Sequence, residues 1–390
     1  MGAIAGLEHG IPENPLDLDA TWMTTILRTS GAIDEATTVA SVESEPFQVG
    51  VGLLGQLARA SMSYEAGDGP ATVILKYPID VPHQRGMADG INAYEREVRF
   101  YREIAPASEL RTPAAYAAMI AEDKTDSLVV MEDLSHLRQA DRANGVSWDE
   151  AVASVRTLAR FHAQWHESDR LSEMAGCWYA LGNPIYNVVL PQFIDAAWES
   201  CQVHGAQFLD DEIVAFGNRW VELFPAMQKQ LMTSPTLVHG DWRADNMFID
   251  GGDVVIVDFQ IVGVANGAYD LAYFICQSVE REVRAGRERE LVDHYVAALS
   301  TAGVTRDADQ VWFDLRVAAG LCLIYGIVSY AQYELLPGEG QHVIDTILRR
   351  STQGITDVGA IEAVNSLASD SGGQEQTQAE TQEQTQEEIR

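Results

Sequence analysis

The sequence is short of lysine. Only Lys76, Lys124 and Lys229 occur among 26 basic residues, against 58 acidic ones, for a formal net charge of −32. A surface of that sign repels nucleic-acid phosphates and anionic lipid, which argues against nucleic-acid and membrane partners. Cysteine is also scarce: Cys177, Cys201, Cys276 and Cys322 are scattered with no C-x-x-C pair, so neither a zinc site nor a disulfide framework is expected. The N-terminus, MGAIAGLEHGIPENP, lacks the basic segment and apolar core of a signal peptide, and lacks the Ser or Thr at position 6 of a myristoylation signal. Long hydrophobic runs are missing too. One uncharged run, Val317 to Tyr333, has 17 residues including Ser, Gln and two Gly, and reads as a buried core helix rather than a membrane span. A cytoplasmic protein is the expectation.

What is present is a globular composition, 46% hydrophobic over 390 residues, enough for one large domain or two lobes sharing a core. DATWMTTILRTSG reads as an amphipathic helix capped by Asp19 and ended by Gly31. From about Glu43 to Pro78, two apolar or alternating runs flank the turn EAGDGP and predict a β-hairpin with glycines in its first arm. INAYEREVRFYREIA predicts a helix and DSLVVMEDL a buried strand. After Leu134 the helical period dominates, interrupted by one hairpin, NMFID and VVIVDF joined at GGD. A β-rich first third and a helical remainder indicate an α+β fold with two lobes. The segment from Ser366 to Arg390 carries six acidic residues and one basic, is nearly devoid of apolar residues, and is expected to be a disordered acidic tail.

Several residues carry candidate chemistry. Gly50, Gly52 and Gly55 form a GxGxxG. The same spacing occurs in dinucleotide-binding folds, but there a helix follows, whereas QLARASMSY continues as strand. The glycines therefore read as a turn between antiparallel strands whose backbone can approach phosphates, or simply as a glycine-bearing hairpin. Lys76 is the sole charge in ATVILKYP. It can snorkel from a strand end, or it can meet Glu97, which falls on the apolar face of the next helix with Tyr94, Val98, Phe100, Tyr101 and Ile104. Glu95, Arg96, Arg99, Arg102 and Glu103 are placed on the opposite, solvent face. In LVHGDWRADNMFIDGGDVVIVDFQ, Asp241 precedes the second hairpin, Asn246 enters it and Asp258 leaves it. Each alone fits a turn cap or a solvated carboxylate. Together they supply a base for a hydroxyl and two oxygen ligands for a Mg²⁺ ion held by nucleotide phosphates.

HGDWRADN followed by VDF resembles the catalytic and metal loops of the kinase superfamily. With LVVMEDL, EVRFY, DFQ and DLAYF, the set resembles the aminoglycoside phosphotransferase and choline kinase group, and within it the ecdysteroid-kinase-like branch, over about residues 20 to 365. The resemblance implies a protein-kinase-like two-lobed fold, with a small antiparallel β-sheet N-lobe (20–133) and a large helical C-lobe (134–365), between an N-terminal extension (1–19) and the tail (366–390). It implies Asp241 as catalytic base, Asn246 and Asp258 as Mg²⁺ ligands, and Lys76 with Glu97 as the phosphate-anchoring pair. It further implies Met131 behind the adenine, backbone groups of Glu132 and Leu134 on its edge, His239 organising the loop and Asp270 bracing it. A simple helix N-cap remains the alternative for Asp270. Arg243, two residues after the base, would touch the transferred phosphoryl group or face solvent.

The implied activity is transfer of a phosphoryl group from Mg·ATP, or Mg·GTP, to a hydroxylated small molecule. Two departures argue against a protein substrate: Gly240 stands where protein kinases carry Arg, and only residues 259–269 separate Asp258 from Asp270, too few for an activation segment. DFG is replaced by DFQ, with Gln260. A catalytically silent nucleotide sensor is the competing reading, although such proteins usually lack one of Lys76, Glu97, Asp241, Asn246 and Asp258. His162 reads as a core histidine near the catalytic loop, and the tryptophans at 165, 178, 198, 220 and 312 as core, with one or two available to an acceptor pocket.

Overall fold

The computed structural model describes residues 4–47, 54–124, 126–141, 144–173, 181–183 and 185–367. Gly50, Gly52, Trp178, Cys177 and the tail beyond 367 lie outside the described residues. The first helix, α1 (Ala20–Thr29), starts where Asp19 accepts the Trp22 N–H, as its cap signal predicts. Then come β1 (Thr38–Phe47), β2 (Gly55–Ala66), β3 (Thr72–Pro78), α2 (Pro82–Gly90), α3 (Ala93–Arg99), β4 (Ala115–Ile120) and β5 (Ser127–Glu132). The five strands make one antiparallel sheet in the order β1-β2-β3-β5-β4.

Side-chain alternation explains why this sheet reads as apolar runs. Val73 and Leu75 of β3, with Leu128 and Val130 of β5, pack against Met23, Ile26 and Leu27 of α1. Their alternates, Ile74, Val129 and Met131, point to the other face and join the core that continues into the helical lobe. Lys76, paired with Leu57 and Val129, follows Ile74 on that second face. The strand β3, buried on both sides, thus turns its one cation toward the helices.

The strand pattern was only partly visible in the sequence. β1 begins at Thr38, ahead of the expected Glu43, because β2 is long enough to pair it back to Ala66. β4 was not anticipated: AYAAMI is alanine-rich and has little intrinsic strand preference, so its pairing with β5 imposes the extended form. Ala5 lies alongside it, donating to Tyr116 O and accepting from Ala118 N–H. α2 was also unforeseen; it opens on Pro82, a residue suited to a first helical turn.

The second lobe holds β6 (Arg138–Gln139), α4 (Trp148–Trp165), α5 (Arg170–Glu173), α6 (Ile185–His204), α7 (Asp211–Gln230), β7 (Pro235–Val238), β8 (Met247–Asp250), β9 (Asp253–Ile256), β10 (Gly263–Asn266), α8 (Ala268–Ser278), α9 (Arg281–Arg284), α10 (Glu288–Thr301), α11 (Ala308–Leu321), α12 (Leu323–Ser329) and α13 (Glu339–Val358). The hairpin β8–β9 is the one expected, but β6 joins its edge, and β7 pairs with β10 as a separate ribbon. These extra strands are two to four residues long, below what sequence periodicity resolves.

One helical stretch, Ala308–Leu335, is long and apolar enough to cross a membrane by length and composition, yet 72% of its apolar window is buried inside the fold. The run from Val317 is not one helix: it breaks between α11 and α12 and tightens into a 3-10 turn at Tyr330–Leu335. Trp165, Trp198 and Trp220 are core residues, while Trp312 is partly exposed beneath Arg289.

Candidate functional site: a cation, four carboxylates and a carboxamide between the lobes

Lys76 Nζ donates to Glu97 Oε1 and to Asp258 Oδ1, both at 2.8 Å. The contact to Asp258 spans 182 positions and ties the sheet to the loop after β9. Burial by itself would depress the lysine, but the two carboxylates outweigh it and hold the ammonium above its ordinary value. For Asp258 burial opposes ionisation, and Lys76 overcomes it, so the carboxyl titrates below the usual range. Glu97, 3% exposed, is pushed the other way, chiefly by burial. It also accepts the Phe259 N–H at 3.3 Å.

Two backbone features set this geometry. Asp258 has φ +69, a left-handed conformation that Asp tolerates better than most residues and that turns the chain sharply out of β9. Phe259 is then stacked flat on Phe100, ring centroids 3.5 Å apart, with Tyr101 and His239 edge-on. Phe100 opens a π-helical turn, Phe100–Ile104, that extends α3. The sequence pattern treated this whole segment as one regular helix, and that is where one placement failed. Arg96 is not on the solvent face: it is 2% exposed and donates to the carbonyls of Ile261 and Val262. The loop after Asp258 folds over that side of α3, and its bare carbonyls need a donor.

The catalytic-loop candidates form a second cluster. Asn246 Nδ2 donates to the backbone oxygen and to Oδ2 of Asp241, each at 3.0 Å. Arg243 Nε lies 2.9 Å from Asp241 Oδ1, and its Nη1 lies 3.4 Å from Asp245. Arg243 is thus in contact with the candidate base itself. His239 Nδ1 accepts the Asp241 N–H and Nε2 faces Val257 O, both at 3.1 Å, so both are satisfied by the neutral tautomer carrying its proton on Nε2. Burial holds this imidazole below its ordinary value, outweighing the pull of Asp270 and Asp258. Val257 N–H donates to Asn246 O at 3.0 Å, which fastens the two clusters together.

Asp270 sits beneath the loop, fully buried in the first turn of α8. Its Oδ2 accepts the His239 N–H at 2.6 Å and its Oδ1 accepts the Gly240 N–H at 2.8 Å. It is not an N-cap; Gly267 holds that position. His162 bridges Asp270 (3.2 Å) and the Tyr295 hydroxyl (2.8 Å), a satisfied core histidine. Gly240 has φ +87, and a Cβ there would stand 2.5 Å from Ile261 O. No side chain fits, which explains physically why glycine precedes Asp241.

Of the expected nucleotide-contacting residues, Gly55 opens β2 beside Lys76. Met131 is buried on the inner face of β5, its sulfur 3.9 Å from the Tyr101 hydroxyl. Glu132 N–H donates to Ala114 O, and its carboxylate is held by Arg111 at 2.8 and 2.9 Å; Leu134 O accepts from Leu137 N–H. Three residues passed over in the sequence belong to the site: Arg96, Gln260, buried beside Gly55, and Tyr325, whose hydroxyl lies 3.4 Å from Gly240 O. Only the carboxylate next to Arg96 and the DFQ departure hinted at the first two. Among the described residues no group of three His, Cys, Asp or Glu is arranged as a metal cage. The site instead offers one carboxylate, Asp258, and one carboxamide, Asn246, a donor set that suits Mg²⁺ ligated mainly by phosphate oxygens.

A five-stranded sheet whose lysine pairs with a helix glutamate, set over a helical lobe carrying H-G-D, Asn and D-F, defines a kinase-like small-molecule phosphotransferase. The profile of the ecdysteroid kinase-like family matches residues 50–303, and the chain belongs to that family. Among solved structures it is similar to the choline kinase of Cryptosporidium parvum Iowa II (TM-score 0.54, 12% identity, covering 89% of this chain and 99% of that one). It is also similar to the ethanolamine kinase of Plasmodium vivax (TM-score 0.52, 11% identity, covering 88% and 92%). At these identities the likeness shows the shared two-lobed, protein-kinase-like fold. Among curated proteins none matches the sequence.

Proposed function

We propose that the protein transfers the γ-phosphoryl group of Mg·ATP to a hydroxyl of a small-molecule acceptor. The carrying observation is the Lys76 ammonium held at 2.8 Å by both Glu97 and Asp258, next to a loop that presents Asp241. A buried cation flanked by two carboxylates is costly to assemble, and triphosphate binding gives it a use. Nucleotide bound with Mg²⁺ supplies the transferable group and neutralises its charge. Asn246 Oδ1 and Asp258 would hold the metal, and Lys76, oriented by Glu97, the phosphates. Met131 would back the adenine, with backbone groups of Glu132 and Leu134 along its edge.

Asp241 orients the acceptor hydroxyl and takes its proton as the oxygen attacks phosphorus. Asn246 and Arg243 hold the Asp241 carboxylate from two sides, so its geometry is set before the acceptor arrives. His239, kept neutral, and Asp270 fix the loop backbone beneath it. Because no activation segment separates Asp258 from Asp270, the acceptor is a small molecule rather than a protein chain.

The test is nucleotide-dependent ADP (or GDP) release with Mg·ATP and Mg·GTP against hydroxylated acceptors, covering sterols, macrolides, aminoglycosides, choline and hydroxyacyl thioesters, beside Asp241→Ala. Acceptor-dependent release that falls at least about 10³-fold in the variant, with Mg·ATP affinity kept, is expected. Wild-type protein that binds neither Mg·ATP nor Mg·GTP overturns the proposal. Binding with no turnover on any acceptor points to a nucleotide sensor instead.

A further inference from the structure

Gln260 follows Asp258 and Phe259, and its side chain is 5% exposed. Among the described residues its carboxamide has no hydrogen-bond partner. Its Nε2 lies 3.2 Å from where a Cβ on Gly55 would stand, and Lys76 Cε lies 3.4 Å from the same point. The carboxamide and the lysine stem therefore converge on Gly55 at the start of β2. The fold supplies this carboxamide no partner among the described residues yet leaves its polar atoms within reach of solvent, so its N–H groups can turn to a ligand in the cleft.

We infer that Gln260 is a positioning residue for the phosphate chain: its Nε2 N–H groups donate to a nucleotide phosphate oxygen beside Lys76. This rests on the nucleotide reading above. The chemistry is specific. The Lys76 charge is already shared by two carboxylates, and a neutral donor adds a directed contact to phosphate without adding to that ion network. The glycine usual at this place in D-F-G provides no side-chain donor.

Gln260→Met keeps the length and removes the donors. Because the carboxamide has no hydrogen-bond partner among the described residues, the variant is expected to match or exceed the wild-type melting temperature without ligand. Its Kd for Mg·ATP and Mg·ADP should rise about tenfold, the scale of one lost hydrogen bond to a charged group, while adenosine binding stays unchanged. Gln260→Glu, which places a carboxylate against phosphate, should weaken Mg·ATP further, again without affecting adenosine. A lowered melting temperature for ligand-free Gln260→Met would assign the side chain a packing role and overturn the inference. So would equal losses for ATP and adenosine, or no loss for either variant. Wild-type protein that binds adenosine but not Mg·ATP would instead remove the phosphotransferase reading on which the inference stands, and the inference with it.

Discussion

Replacing Asp270 with Asn is the sharpest test of how the loop is held, because it preserves volume and removes only charge and one acceptor. In the native site the two carboxylate oxygens take the His239 and Gly240 N–H groups at 2.6 and 2.8 Å, with no exposure to water. Each such bond to a buried charge contributes about 1.5–3 kcal/mol. Asparagine can accept only one of them, and its NH₂ then opposes the other N–H. One charged bond is lost and one buried N–H is left unpaired, so a destabilisation of about 3 kcal/mol is expected. The loop should also lose register at Asp241. With Lys76 and Asp258 untouched, kcat should fall about 10²-fold while the Kd for Mg·ATP changes less than about threefold. Urea unfolding followed by tryptophan fluorescence reads the first effect, and steady-state kinetics with nucleotide titration the second. An unshifted midpoint together with a kcat within threefold of wild type would refute the bracing role.

Two further outcomes follow from the same geometry. Lys76→Met, Glu97→Gln and the double variant form a cycle: the first strands the buried Glu97 and the second leaves Lys76 only Asp258, so stability of the double variant should exceed the additive expectation by about 1–3 kcal/mol, measured by denaturant unfolding. An additive cycle would mean the ion pair contributes no coupling. His239, whose folded pKa lies below its ordinary 6.5, takes up its proton more readily when unfolded. Its contribution to stability is therefore present above about pH 6.5 and lost as the pH falls toward the folded value. His239→Gln should flatten that part of the stability profile, and an unchanged acid slope between pH 5 and 7 would assign the loss to other groups.

How much of this was legible in the sequence depends on the range of the interaction responsible. Alternation in ATVILKYP and the helical phase of EVRFY place Lys76 and Glu97 on facing surfaces, and the turn GGD returns Asp258 toward Asn246. Those are local regularities with periods of two, 3.6 and a two-residue loop, so residue order alone determined them. Arg96 followed the same periodicity and was misplaced, because its burial depends on carbonyls 165 positions away that only packing brings near. The π-turn at Phe100, the five-stranded register that recruits alanine-rich β4, and the contact of Arg243 with Asp241 are likewise invisible to a local pattern.

Sequence by itself therefore determined the chemical inventory, its order and the family: a lysine, a glutamate, H-G-D, Asn and D-F carry that signature wherever they fold. Tertiary structure alone decided the assignments that turn on long-range closure. Asp270 proved to be a loop brace rather than a cap because two backbone N–H groups from thirty residues upstream converge on it. Gly240 proved obligatory because Ile261 O occupies the space a side chain would need. Gln260 came to lie beside Gly55 and the Lys76 stem because the lobes close there. Local sequence encodes which faces are apolar; which polar groups are left to one another is settled only when those faces pack.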